Sequence, residues 1–361
     1  MLPIATMSPP LLIWAGETAY EQIAKHGLDP SLFSTVLGAS GGAKMLGLTH
    51  LDRYVFGEYL AGSEHPIELI GSSIGSWRHA AAAAPEPVAA LTSLQERYLN
   101  QDWDENDPRS ATEIVDELCD WVIESLVSPE VMQHICDHPR YTTHVITARG
   151  RGLNNNSAGA LLAAGMGVSA IANLWGRGAL STLFQRVVFS TGSSRAFDFQ
   201  DFTTRYVPLT PSILKTALMA SGSIPFLMSG QRDISGAPAG HYWDGGIIDY
   251  HFDFANQTGP GLVLYPHFTH QVVKGWFDKP LKWRRNAAKH MKRVVLLAPS
   301  PEYLKALPHG KIPDRKDFKR IPRPQRLNYW RQAMAASEML AQRFHDAVRS
   351  SNPLSYIAPI H

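Results

Sequence analysis

Residues 33–75 read FSTVLGASGGAKMLGLTHLDRYVFGEYLAGSEHPIELIGSSIG. The apolar run 33–38 predicts a strand, and the loop Ala39-Ser40-Gly41-Gly42 follows it. Residues 43–60 predict a helix, with Leu46, Leu51, Tyr54 and Val55 spaced for burial on one side. Pro66 breaks the chain, residues 67–70 predict a second strand, and another helix starts near Ile74. Strand, loop, helix, strand, turn, helix is an α/β order, and it implies parallel pairing through right-handed crossovers.

The rest of the chain extends this pattern. Residues 16–27 read as a short amphipathic helix with Tyr20, Ile23 and Leu28 as its apolar points. Further strands are expected at 143–148, 186–191, 262–265 and 294–298. The runs Val187-Val188-Phe189 and Val294-Val295-Leu296-Leu297 suit strands covered on both faces. Helices are expected at 85–99, 111–126 and 211–220. A final helix over 325–349 aligns Leu327, Trp330, Met334, Ala341, Phe344 and Val348 in one stripe. The Pro- and Lys/Arg-rich stretch 306–326 reads as an exposed loop. The fold class is therefore α/β with a mostly parallel central sheet. Residues 1–32 form an N-terminal extension, 33–265 the main α/β domain, and 266–361 a basic part that completes the fold.

The chain has 361 residues, a length that α/β folds often gather around one core. It is 44 % hydrophobic and 18 % charged, which excludes a dominantly disordered chain. Its two cysteines, Cys119 and Cys136, exclude a disulfide framework and a CxxC metal site, and fit a reducing compartment. The apolar start, Met1 to Trp14, has no basic leader and contains Pro3, Pro9 and Pro10, so no signal peptide is recognised. A cytoplasmic or peripheral membrane location is expected.

Charge is unevenly spread. Net charge is +2, yet residues 271–326 carry 16 Lys/Arg against 4 Asp/Glu, leaving the remainder at −10. Trp276, Phe277 and Trp283 are interleaved with Lys274, Lys279, Lys282, Arg284 and Arg285. That mixture suits either a solvated face or an anionic lipid headgroup layer, and no nucleic-acid motif accompanies it. Residues 152–176 carry no charge at all. The stretch 157–175 approaches a membrane span in length, but its Gly, Ala, Ser and Asn favour a buried helix or a lipid-touching lid.

The pattern Gly-x-Ser-x-Gly occurs twice, as Gly38-Ala39-Ser40-Gly41-Gly42 and Gly71-Ser72-Ser73-Ile74-Gly75. In each, a sharp strand-to-helix turn presents a serine at a helix N-terminus that favours negative charge. Adjacent Gly41 and Gly42 can aim backbone N–H groups into one space, as an oxyanion hole requires. The second copy has a clear helix behind it. Gly41-Gly42 thus reads as the oxyanion loop and Ser73 as the nucleophile, with Ser40 its rival. Residues 217–226 read Ala-Leu-Met-Ala-Ser-Gly-Ser-Ile-Pro-Phe, and 240–246 read Gly-His-Tyr-Trp-Asp-Gly-Gly.

These four motifs, in this order from about Phe33 to about Tyr250, resemble the patatin-like phospholipases. The resemblance implies a three-layer α/β/α sandwich and a Ser–Asp dyad that hydrolyses lipid acyl esters, of the phospholipase A or general carboxylic ester type. It matches Ser73 to the nucleophile, Asp244 to the base, and Gly41, Gly42 and Ala43 to the oxyanion loop. Lys44 falls where the family usually has Arg, and Ser40 and Met45 fall where it usually has Gly. Gly71 and Gly75 flank the nucleophile, and Gly245 and Gly246 let the backbone pass close to it. No metal or other cofactor is implied, and the partner is a phospholipid or other acyl-ester lipid. Two alternatives stand beside this reading. One is a lipid-binding regulatory module with little turnover, motivated by the altered loop. The other is a Ser–His–Asp esterase using His241, His251, His267, His270 or His290. Acyl transfer to an alcohol other than water would use the same dyad.

Overall fold

The computed structural model describes residues 8–104, 106–157, 159–193, 196–284 and 288–360. Met1 to Met7, Ala158 and Arg285, which the sequence reading used, lie outside the described residues. The strands are β1 (Leu11–Ala15), β2 (Phe33–Gly38), β3 (Ile67–Ser72), β4 (Tyr141–Gly150), β5 (Phe184–Ser190), β6 (Thr204–Pro208), β7 (Gln231–Arg232), β8 (His241–Asp244), β9 (Leu262–Pro266), β10 (Val294–Pro299) and β11 (Ile357–Pro359). They form one sheet in the order β11-β1-β10-β9-β2-β3-β4-β5-β6, with β8 added on β4 and β7 on β8. Strands β10, β9, β2, β3 and β4 run parallel. Strand β1 is antiparallel to β10, and β5 and β8 are antiparallel to β4. The sheet is mixed, mostly parallel, and lies inside an α/β/α sandwich. Every residue of β9 and of β10 is buried, as strands covered on both faces must be.

Four departures from the sequence reading have causes in packing and hydrogen bonding. Residues 11–15, expected within an N-terminal extension, are a strand between β10 and β11; Leu11, Ile13 and Ala15 alternate inward and make it part of the core. The stretch 43–60 is helical but irregular, passing from a 3-10 turn through the α-helix Thr49–Tyr54 to a π turn. Gly47 and Gly57 permit close packing there: a Cβ on either would sit 2.7 Å from Ile312 or 2.4 Å from Val88. The final helix is broken into Arg323–Ala336 and Glu338–Arg349. At the break, Ser337 Oγ donates to Met334 O (2.6 Å) and accepts from His50 N (3.1 Å). The stretch 306–326 is not simply exposed loop, since Ile312 and Asp317 are buried.

Among the described residues no helix is long and apolar enough to cross a membrane. Residues Gly159–Trp175 form one helix whose Leu162 and Met166 join a small core with Trp243, Ile247 and Ile248, separate from the main one.

In β2 and β3 the register sets Gly38 opposite Gly71. Both glycine-rich turns therefore emerge side by side at the carboxyl ends of neighbouring parallel strands, where open α/β sheets hold their ligands.

Candidate active site

Strand β4 brings distant residues together. Tyr141 to Ile146 pair with β3, and Thr147 to Arg149 pair with β8. Strand β5 occupies the opposite edge throughout Thr147 to Arg149. Strand β8 therefore enters where β3 leaves. Ser72 pairs with Ile146 and Asp244 with the next residue, Thr147. This register sets Asp244 against Ser73, and Ser73 Oγ donates to Asp244 Oδ2 at 2.8 Å.

Ser73 sits between the end of β3 and the helix Ile74–Ala82, with φ 56° and ψ −131°. That conformation is costly for a residue with a Cβ, and its surroundings must impose it. They do so by close approach. A Cβ on Gly71 would lie 2.6 Å from Ser76 N, and one on Gly75 only 2.0 Å from Gly38 O. Ser73 N donates to Ser221 Oγ (2.9 Å), while Ser221 Oγ donates to Ile146 O (2.7 Å) and meets Ser76 Oγ at 2.9 Å. The serine of the Ala-Ser segment at 220–221 thus ties the elbow to β4. No sequence signal gave Ser221 this task beyond its place in that segment.

Asp244 is held from three sides. Its Oδ1 accepts from Gly246 N (2.7 Å), its Oδ2 from Ser73, and its N–H donates to Ser223 O (2.8 Å). A Cβ on Gly245 would lie 2.2 Å from Ile146 O, and one on Gly246 2.5 Å from Ser40 Oγ. Ser73 and Asp244 are 5 % and 8 % exposed. Burial pushes the Asp244 carboxyl up to about 6; the hydrogen bonds from Ser73 and Gly246, and the charges of Lys279 and Arg315, act against it.

Ser40 has a different environment. It is buried, its Oγ lies 3.0 Å from Ser72 Oγ and 3.2 Å from Ser72 O, and among the described residues no carboxylate hydrogen-bonds to it. Gly42 has φ 57°, and a Cβ on Gly41 would lie 2.7 Å from the Phe268 ring. The Ala43 amide faces the buried Tyr98 hydroxyl. Lys44 Nζ lies 4.5 Å from the Phe268 centroid, and desolvation lowers its proton affinity.

The histidines are engaged elsewhere. His241 Nε2 meets Ser229 O at 2.8 Å. His251 Nδ1 accepts from Val273 N (3.1 Å) and His267 Nδ1 from Thr269 N (3.0 Å). The His270 ring packs against Trp14, and His290 ends a short turn beside β10. Among the described residues no histidine hydrogen-bonds to Ser73 or Ser40.

Sequence reasoning missed the support beneath the Asp-Gly-Gly turn. Asp249 N donates to Gly245 O (2.9 Å), and the Asp249 carboxylate receives Arg186 Nε (2.6 Å) and Arg186 Nη2 (2.9 Å). Both residues are fully buried. The signal was available: Asp249 closes the apolar run Ile247-Ile248, and Arg186 opens Val187-Val188-Phe189. A charge embedded in an apolar run needs a partner.

The basic stretch 271–326 is divided by the fold. Arg326 is buried among Trp103, Phe318 and Trp330, while Lys274, Lys292, Lys311 and Arg323 pair with Asp253, Glu17, Asp314 and Asp102. Lys279, Lys282, Trp283, Arg315 and Lys316 are exposed. Lys279 Nζ lies 3.7 Å from the Tyr250 centroid; desolvation there, then Lys44, lowers its proton affinity.

A family model described as Patatin-like phospholipase matches residues 33–251. The chain belongs to the patatin-like phospholipase family. The matched segment begins at β2 and ends just past the Asp-Gly-Gly turn, so it holds Ser73, Asp244 and both glycine turns. This is a family of lipid acyl hydrolases. Neither a curated protein nor a solved structure matches the chain.

Proposed function

We propose that this patatin-like chain cleaves lipid acyl esters, phospholipids or others, with Ser73 as nucleophile and Asp244 as base. The observation that carries the reading is the 2.8 Å hydrogen bond from Ser73 Oγ to a carboxylate whose proton affinity burial has raised. As Ser73 Oγ attacks the ester carbonyl carbon, its proton passes to Asp244. The tetrahedral oxyanion is received by the amides of the Gly41-Gly42-Ala43 loop. Collapse breaks the ester C–O bond, and Asp244 returns the proton to the leaving alcohol. Water then gives its proton to Asp244 and attacks the acyl-serine; the second collapse breaks the bond from Ser73 Oγ to the acyl carbon, Asp244 returns the proton to Ser73 Oγ, and a carboxylic acid is released. Gly71, Gly75, Gly245 and Gly246 keep the two chain segments close enough for this. Lys44, Lys279 and Arg315 supply positive charge around the site, and Lys279 and Arg315 favour the ionised form of Asp244 against its burial. The exposed part of 271–326 attracts an anionic membrane surface, and 33–265 acts as the catalytic part completed by 266–361.

A second reading, a lipid-binding module with little turnover, draws on Ser40 and Met45, which stand where the family usually has glycine. Fluorophosphonate labelling of wild type, Ser73→Ala, Ser40→Ala and Asp244→Asn separates the two, with the labelled peptide mapped. Labelling of wild type and Ser40→Ala but not Ser73→Ala is expected, with Asp244→Asn slowed by roughly 10³ or more. Equal labelling of Ser73→Ala sinks the assignment.

A further inference from the structure

The helix Gly159–Trp175 is inside out. Its only polar side chains, Ser169 and Asn173, are buried. Ser169 Oγ donates to Gly165 O (2.8 Å) and accepts from Asn154 Nδ2 (2.9 Å), and Asn173 Nδ2 donates to Asp278 Oδ1 (2.8 Å). Every side chain facing out is apolar, with Ile171 55 %, Leu174 59 % and Trp175 78 % exposed. A surface helix ordinarily puts its polar face outward, and soluble chains rarely leave so continuous an apolar face in water.

A second observation points to what covers this face. Arg284 donates to Asn173 O, and through Nη2 to Leu174 O at 2.7 Å, which clamps residues 282–284 onto the end of the helix that carries Trp175. Trp283, 75 % exposed, is thereby held at that same end, beside the exposed Lys282. Lys279, three residues earlier, is also exposed. The one acid in this stretch, Asp278, is buried against Asn173. An apolar face thus ends in two exposed indoles and lysines of a single sign. An anionic headgroup layer supplies the complementary charge, and a second copy of the same rim does not.

We infer that the helix Gly159–Trp175 docks this protein flat on an anionic lipid bilayer, with Ile171 and Leu174 in the acyl boundary and Trp175 and Trp283 at headgroup depth. Leu162 and Met166 of the same helix pack with Trp243 and Ile247, which flank Asp244-Gly245-Gly246. Docking there sets the candidate site against its lipid, a consequence that rests on the hydrolytic reading; the docking itself does not.

The test compares the full chain with Ile171→Glu/Leu174→Glu and with Trp283→Ala. Flotation with vesicles of phosphatidylcholine, pure or mixed with phosphatidylglycerol, measures binding, and hydrolysis of a water-soluble short-chain ester checks the fold. Wild type is expected to bind the mixed vesicles and to show a blue-shifted tryptophan emission. The double glutamate variant is expected to lose binding by about tenfold or more, and Trp283→Ala by less, both with soluble-ester hydrolysis unchanged. Vesicle binding without any Ser73-dependent hydrolysis supports the docking and overturns only the hydrolytic reading. Wild-type affinity in the glutamate variant, or a wild-type dimer in solution that the variant dissolves, overturns the docking.

Discussion

A carboxylate that must take a proton from a serine works better as its own proton affinity approaches the working pH. Burial moves Asp244 that way, to about 6, while Lys279 and Arg315 pull it back. Hydrolysis is therefore expected to fall about tenfold per pH unit below about 6. In Lys279→Gln that acid limb is expected to move to higher pH, because a charge favouring the carboxylate is gone; a pH–rate profile of kcat/KM reads both, and an unmoved limb in the variant contradicts the role given to Lys279. The same burial costs stability. The folded-state value lies above the unfolded value of 3.8, so the ionised folded state is penalised fully above about pH 6 and not at all below about pH 4. Asp244→Asn is expected to be more stable than wild type at pH 8, by about 3 kcal/mol at most. The gain fades as pH falls toward 4, and urea unfolding at several pH values checks it.

Elements gather the site, and here sequence legibility divides. Both glycine-serine turns could be read, because their glycines recur at the motif spacing: Gly71 is demanded within its own turn by Ser76 N at 2.6 Å, and Gly75 by Gly38 O of the neighbouring turn at 2.0 Å. The partnership of Ser73 with a residue 171 positions away could not be read from spacing. It depends on four-residue β8 taking the edge that β3 leaves, and only the ordered motifs pointed to it. The break at Ser337 was illegible too, since the apolar stripe runs on through it and the cause is a bond to distant His50. The turn after β8 keeps its shape through Asp249, which binds Gly245 O by its amide and Arg186 by its carboxylate. Asp249→Ala leaves Arg186 buried with one fewer partner, Asp201 remaining at 3.0 Å. Loss of about 3–5 kcal/mol is expected by denaturant unfolding. A loss under about 1 kcal/mol would mean that Asp201 alone suffices for Arg186.

At the scale of the whole molecule, the family match and the folding unit do not coincide. The match ends at residue 251, yet β2 pairs with β9, β9 with β10, and β10 with β1. A chain cut to 33–251 exposes the edge of β2, buried on both faces in the intact sheet, and strips the contacts of Trp330, Leu340 and Phe344 from the main core. Such an edge recruits other chains rather than standing in water. Tyr54 and Tyr59 would also lose the Phe344 ring, with centroids 5.9 Å and 5.0 Å away in the intact protein. The segment 33–251 is therefore expected to aggregate or to unfold without a cooperative transition, whereas removal of residues 1–7 alone leaves β1 in place. Thermal unfolding followed by circular dichroism on both truncations decides this. A sharp transition in 33–251 would mean that the matched segment is a domain in its own right and that 266–361 is an appendage. The alternative outcome places the basic, aromatic stretch 271–284 inside the same cooperative unit as Asp244. The charge at the mouth of the site is then fixed by the fold rather than carried on a separable arm.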